Sequence, residues 1–243
     1  MVDQAPLNEL AQLIKRHYPN RNLLVSYGMA AWQRVMGFAR DARFIQAFNA
    51  HKELHPAPNY HWNIHTVLWA ARSSLTLDGD FVELGVFKGF TSSVLAQYLD
   101  FAKVPKTWYL YDTFTGIPDE DLNKGWTNAY ANMGMSYEAV VERFAAYPNI
   151  KVIKGRVPDI FDEVCPERVA FMHIDLNSAK AEVAALDRLY DRVVPGGLIV
   201  FDDFGWSQCL EQNLAEVAWA EARGLHILEL PTGQGLLVKP PAP

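Results

Sequence analysis

The chain has 243 residues, half of them hydrophobic, and a formal net charge of -6. That length and apolar content suit one α/β domain with a full core and leave room for an N-terminal helical extension. The acidic balance, with no basic run, argues against a nucleic-acid surface.

Seven Trp suit a deep organic-ligand pocket, or simply a large core. Cys165 and Cys209 have no partner pattern, so a reducing, cytoplasmic setting is the default expectation. Met1-Val2-Asp3-Gln4-Ala5-Pro6 does not read as a signal peptide. No apolar run reaches the roughly eighteen residues of a membrane span, so no membrane partner is expected.

Residues 7–17 carry Leu7, Leu10, Leu13 and Ile14 at helical spacing, and Pro19-Asn20 reads as the stop. Residues 29–50 form a second periodic run, with Trp32, Val35, Met36, Phe38, Phe44, Ile45 and Phe48. It holds more large apolar groups than one helix face needs. Part of it is therefore expected to lie over the active site or between the subunits of a homodimer. Residues 55–60 read as a loop, and Asn63 to Leu75 as a helix with Ile64, Val67, Leu68 and Ala71 on one face. Asp78-Gly79 is a turn.

Strands and helices then alternate. Asp80 to Leu84 is a strand, followed by a Gly-rich turn and a helix through Leu99. Residues 107–111 are a strand, 136–147 a helix, 150–153 a short strand and 169–174 a strand. Residues 179–193 are a helix closed by Pro195-Gly196-Gly197. A strand at 198–201, a helix at 207–223 and a hairpin of 225–230 with 235–239 complete the order. The alternation predicts a mainly parallel, doubly wound sheet with an antiparallel C-terminal hairpin. The division expected is an extension or substrate cap over 1–77 and a catalytic domain over 78–243. Residues 113–134 are irregular and follow a strand end. A segment of that length in a compact domain is read here as a lid over the substrate.

The organising stretch is Glu83-Leu84-Gly85-Val86-Phe87-Lys88-Gly89-Phe90-Thr91-Ser92. Glycines without Cβ atoms let a ligand approach the backbone, at the strand end where α/β sheets bind ligands. The spacing is Gly-x-x-x-Gly, so neither the dinucleotide fingerprint nor a P-loop is met. An NAD-dependent oxidoreductase is disfavoured on that ground.

Strand ends also carry Asp112, Asp175, Asp202 and Asp203. One strand-end Asp is ordinarily a turn former or cap. A cluster raises its own pKa values and calls for something cationic, such as a sulfonium or a divalent metal. Asp112 can accept hydrogen bonds from ribose hydroxyls, and Gly155 and Arg156 lie where an adenine would rest. Asp175, Asp202 and Asp203 are oxygen donors that suit Mg²⁺ rather than structural zinc. His173-x-Asp175 also fits the start of an iron facial triad, but that triad belongs to all-β folds. His173 is otherwise a partner of the acids or a core histidine.

Glu-Leu-Gly-x-x-x-Gly-x-Thr-Ser resembles the first motif of class I S-adenosylmethionine-dependent methyltransferases. Asp112-Thr113-Phe114-Thr115-Gly116-Ile117-Pro118 is similar to the Asp-Thr-Phe-x-Gly-x-Pro segment of the macrocin O-methyltransferase family. Gly155-x-x-Pro158-Asp159-Ile160-Phe161 and Pro195-Gly196-Gly197 through Asp202-Asp203-Phe204 follow the same pattern. The resemblance covers roughly residues 60–239. It implies a class I (Rossmann-like) fold with a seven-stranded sheet. It also implies transfer of a methyl group to a hydroxyl of a small natural product, a sugar moiety foremost. S-Adenosylmethionine would meet Glu83, Gly85, Phe87, Gly89, Thr91, Ser92, Asp112, Thr113, Gly155, Arg156 and Asp175. Mg²⁺ would sit on Asp175, Asp202 and Asp203. The family's Asp-Gly-Asp-x-Tyr is replaced by Asp175-Leu176-Asn177-Ser178-Ala179, so the second acid and the Tyr are lost.

Asp175 is the candidate general base, with His173 and Lys180 behind it. A phenol or catechol acceptor and a non-catalytic S-adenosylmethionine-binding protein are the competing functions.

Overall fold

The computed structural model of the chain describes residues 5–18, 23–26, 28–55, 59–125 and 127–241. The stretch Met1–Gln4, the Pro19-Asn20 helix stop and Pro56-Ala57-Pro58 lie outside those residues.

The extension begins with helix α1 (Ala5–His17), as its spacing predicts, and a small antiparallel hairpin, β1 (Leu23–Ser26) with β2 (Met29–Trp32). Residues 29–50 are therefore not one periodic helix. Gln33 takes a left-handed φ of 56°, a turn of 3-10 helix spans Gly37–Arg40, and α2 runs only over Ala42–His51. Asp41 starts α2 by accepting hydrogen bonds from the backbone N–H groups of Arg43 and Phe44, a strong N-cap. Phe38, Phe44 and Phe48 are buried, whereas Trp32 and Val35 stay exposed. Helix α3 (His61–Ser73) then buries Ile64, Val67, Leu68 and Ala71.

The remainder alternates as β3 (Asp80–Leu84), α4 (Phe90–Leu99), β4 (Trp108–Asp112), α5 (Tyr137–Phe144), β5 (Ile150–Lys154), β6 (Val169–Ile174), α6 (Ala179–Leu189), β7 (Val193–Phe201), α7 (Leu210–Glu221), β8 (Leu228–Glu229) and β9 (Gly235–Val238). The sheet order is β5-β4-β3-β6-β7-β9-β8. The first five strands are parallel, and β9 and β8 run antiparallel to their neighbours. Two expected boundaries move. The helix expected over 179–193 ends at Leu189, and β7 starts at Val193, running through Pro195-Gly196-Gly197. The register between β6 and β7 shifts there, and Gly196 adopts a φ of 81°, so the glycines make a bulge rather than a helix stop. The expected strand 225–230 shrinks to two residues at the sheet edge.

Period-two alternation splits the core between the two faces of the sheet. Phe81, Leu110, Phe171 and Val200 pack with α2, α3 and α4. Val82, Leu84, Met172 and Ile199 pack with α6 and α7. Each fully buried aromatic or aliphatic side chain contributes about 1.5–3 kcal/mol. The chain leaves β3 to one side and β6 to the other, so a crevice opens above the carboxyl ends of β3 and β6, where such sheets take ligands. No helix among the described residues is long and apolar enough to cross a membrane.

Candidate functional site

A cavity of about 280 Å³ lies at that switch point. Its lining brings together Glu83, Gly85, Phe87, Thr91, Asp112, Thr113, Gly155, Arg156, Asp175, Asp202 and Asp203. Gly89 and Ser92, expected beside them, do not line it. Gly89 is the left-handed N-cap of α4, and a Cβ there would crowd the Phe144 ring at 3.2 Å. Ser92 faces the protein interior, fully buried.

The glycine turn is built for packing as much as for a ligand. Gly85 has a φ of 87°, and an added Cβ would stand 1.9 Å from the carbonyl oxygen of Asp175. The strand-end turn of β6 thus presses on the turn after β3, and only glycine fits. Phe87 is also left-handed, at φ 51°. What steadies it is Asp112. One carboxylate oxygen accepts from the N–H of Val86 at 2.8 Å and of Phe87 at 2.7 Å, and the other from Phe114 N–H at 2.7 Å. Burial raises the Asp112 pKa, and these three backbone bonds oppose the rise. A carboxylate expected to meet ribose therefore first organises the loop.

Glu83 and His173 sit side by side on β3 and β6. The two His173 ring nitrogens lie 3.4 Å from Glu83 Oε1 and 3.4 Å from Asp202 Oδ1. Burial disfavours the charged ring, but bonding to Asp202 and Glu83 outweighs it and raises its pKa to about 10. His173 thus lies between two carboxyl groups that favour its charged form, and it is not among the residues that line the cavity.

The acids beyond it differ among themselves. Asp202 accepts from the Tyr60 hydroxyl at 2.5 Å and from Gln234 Nε2 at 2.7 Å. Burial pushes its pKa up, but the bonds from His173, Tyr60 and Gln234 more than offset this and hold it low. Asp175 and Asp203 are raised well above the usual range, by burial first and then by the neighbouring acids. The Asp203 carboxyl group accepts no hydrogen bond among the described residues. In that state no three acid, imidazole or thiolate groups among the described residues surround a common point as a closed metal cage, because Asp202 is turned toward its own donors. Oxygen donors of this kind are the type that suits a hard cation. Three carboxyl groups share one wall, and burial and neighbouring acids drive the pKa values of two of them up.

Arg156 is engaged elsewhere than expected. Its guanidinium donates to both Asp121 oxygens, at 2.6 and 2.7 Å, and to Asp159 at 2.7 Å. Burial raises the Asp121 pKa, but Arg156 and Lys180 lower it further than burial lifts it. The Lys180 ammonium lies 3.3 Å from Asp121 and donates to the Glu120 carbonyl at 3.1 Å. Lys180 is therefore tied, at the surface, to the segment that carries Glu120 and Asp121.

Asp121 belongs to the irregular segment after β4, which walls the cavity with Gly116, Ile117, Pro118 and Tyr130. This segment has internal order. Asn128 Oδ1 accepts from the N–H groups of Ile117 and Ala131, and a Cβ on Gly116 would strike it at 2.2 Å. Reading the sequence missed Tyr60, Asp121, Asn123 and Tyr130. The lid reading of residues 113–134 pointed toward the last three, and no sequence signal marked Tyr60. His55 also enters the lining, stacked on Tyr60 with ring centroids 4.4 Å apart.

Solved structures similar to this one include NovP, an O-methyltransferase, with a TM-score of 0.60 and 18% identity over 73% of this chain and 79% of that one. CalS11, a calicheamicin methyltransferase, aligns with a TM-score of 0.61 and 18% identity over 82% and 92%. These likenesses show the fold. Among curated proteins, the mycinamicin III 3''-O-methyltransferase of Micromonospora griseorubida is 26% identical over 150 residues, 55% of this chain and 58% of that protein. A tetracenomycin-C 4'-O-methyltransferase of Streptomyces olivaceus, whose name specifies a dimethoxy-rhamnosyl group, is 25% identical over 146 residues, 54% and 55%. The chain thus spans little more than half the length of the curated relatives it matches. Residues 64–226 match the family Macrocin-O-methyltransferase (TylF). With a match from α3 through the end of α7, the chain belongs to the macrocin-O-methyltransferase family.

Proposed function

We propose that this chain transfers a methyl group from S-adenosylmethionine to a hydroxyl oxygen of a small natural product, with a sugar ring as the favoured acceptor. The observation that carries the reading is a single cavity, joining the glycine turn after β3 to three acids at the ends of β6 and β7, in a chain of this family. The acceptor class follows the names of relatives, which specify a 3''-O-methyl transfer on mycinamicin III and a 4'-O-methyl transfer on a rhamnosyl tetracenomycin. The cap role of residues 1–77 is supported by Tyr60 and His55, which line the cavity from that side.

The methyl donor would lie along Phe87, Thr91, Asp112 and Thr113. Asp112 holds the Val86 and Phe87 amides in place. A carboxylate has about four lone-pair sites, so one remains for a ribose hydroxyl. Asp175, Asp202 and Asp203 would hold Mg²⁺, with Asp202 exchanging part of its present bonding. When bound, the ion would lower the pKa of the acceptor hydroxyl. Asp175, held ionised by the cationic surroundings of the loaded site, would then receive the hydroxyl proton. Its Oδ1 is engaged by Asn177 at 2.9 Å, so Oδ2 is assigned to that proton. Displacement at the methyl carbon then breaks one C–S bond and forms one C–O bond, and alignment supplies most of the rate.

Calorimetry tests the reading. S-Adenosylhomocysteine should bind and NAD should not, and binding should survive EDTA. Transfer to an identified acceptor should stop in EDTA and return with Mg²⁺, partly with Mn²⁺ and poorly with Ca²⁺. Saturable NAD binding with none for S-adenosylhomocysteine would overturn it. Full transfer in EDTA would remove the metal.

A further inference from the structure

Asn177 lies where several contacts cross. Its backbone is left-handed, with φ 55°. Its Nδ2 donates to Asp175 Oδ1 at 2.9 Å. Its Oδ1 accepts from the Tyr130 hydroxyl at 3.2 Å. Its backbone carbonyl accepts from Asn123 Nδ2 at 3.2 Å, and Asn123 Oδ1 in turn accepts from the Ala179 N–H at 2.9 Å. Tyr130 and Asn123 both belong to the segment that walls the cavity after β4. Tyr130 also meets Phe87 of the glycine turn edge to face, with centroids 6.0 Å apart.

We propose that Asn177 is a positioning residue that joins the segment carrying Asn123 and Tyr130 to Asp175. The seating of that segment and the orientation of Asp175 are then set together. What this coupling serves rests on the methyl-transfer reading above; the coupling itself does not.

The residue type follows from the geometry. A side chain between a carboxylate and a phenol O–H must donate on one end and accept on the other. An amide does both, with a fixed donor and a fixed acceptor. Asn also tolerates the left-handed backbone. From beneath, Glu182 Oε1 accepts from the N–H groups of Leu176 at 3.0 Å and Asn177 at 3.1 Å. Those bonds hold the turn backbone without help from the Asn177 side chain. Asn177→Gly therefore removes the side-chain links to Asp175 and Tyr130 and keeps the backbone bond from Asn123, because glycine accepts the same φ.

Hydrogen exchange read by mass spectrometry tests this in Asn177→Gly, Tyr130→Phe and Asp175→Ala, with and without saturating S-adenosylhomocysteine. Peptides around Tyr130 should exchange about threefold to tenfold faster in each variant, as expected for loss of one hydrogen bond. The Asn177→Gly/Tyr130→Phe double variant should add little to Asn177→Gly alone. The decisive arm is Asp175→Ala, which touches neither Asn123 nor Tyr130. Unchanged exchange there would overturn the coupling. Should the wild type bind no S-adenosylhomocysteine, the methyl-transfer reading fails, and the ligand-free comparison still decides the coupling.

Discussion

The two walls of the cavity are built on opposite electrostatic terms. On the glycine-turn side every acid has its partner inside the protein. Asp112 takes three backbone N–H groups, and Glu83 faces a charged His173. On the far side, Asp175 and Asp203 face each other and Asp202 with pKa values driven upward. The first wall is held by bonds made within the protein. The second is held at a cost to stability, which a bound cation would relieve. The contrast separates residues that make the shape from residues that await a charge.

The shape-making wall should be the easier one to break. Gly85→Ala must place a Cβ against the Asp175 carbonyl in a left-handed backbone. A loss of about 3–5 kcal/mol in urea unfolding is expected, and near-native stability would show that the two turns are not in contact. Asp112→Ala comes next. It leaves the Val86, Phe87 and Phe114 amides without their acceptor and should weaken S-adenosylhomocysteine binding by about 1.5–3 kcal/mol in calorimetry.

Behind the acidic wall, the comparison sharpens with pH. Glu182 and Glu216 are fully buried between α6 and α7, and both Glu216 oxygens and Glu182 Oε2 have no donor. A proton shared by the pair supplies one. Burial is the main cause that pushes Glu216 up to about 7. A group raised in the folded state binds more protons there. Its contribution is fully present below the unfolded value of 4.5 and is lost as pH climbs through about 7. Glu216→Gln keeps a donor toward Glu182 and removes that loss. It should exceed the parent by about 2 kcal/mol at pH 8 and match it at pH 4, as read by denaturant unfolding at both pH values. A parallel pH dependence in the two proteins would place the titration elsewhere.

The smallest effect is expected at Lys180, whose side chain is 62% exposed. Lys180→Ala should cost no more than about 0.5 kcal/mol, because Arg156 still holds Asp121 through two bonds. It should also leave transfer largely intact; loss of transfer with unchanged stability would make Lys180 the base after all.

Much of the scaffold was legible in the chain because the patterns behind it are local. Val82 and Leu84 alternate with Phe81 and Glu83, Asp78-Gly79 turns, and the hairpin before Val238 follows from Thr232-Gly233 between two apolar runs. The stretch 29–50 misled for a related reason. Large apolar residues recur there at helical spacing, yet Gln33, Gly37 and Asp41 break it into hairpin, turn and capped helix. Apolar spacing alone does not tell a helix from successive short elements.

By itself, the sequence determined the alternation of strands and helices, the place of each acid at a strand end and the glycines at Gly85 and Gly89, because those depend on neighbours along the chain. Tertiary structure alone decided what each of those groups does. Asp202 meets Tyr60 across 142 positions, and Asn177 meets Asn123 across 54. An Asp that caps a loop, one that pairs with a buried imidazolium and one left exposed to its own neighbours read identically in one dimension. Their differences arise from burial and from donors delivered by distant segments, and only the packed fold sets those.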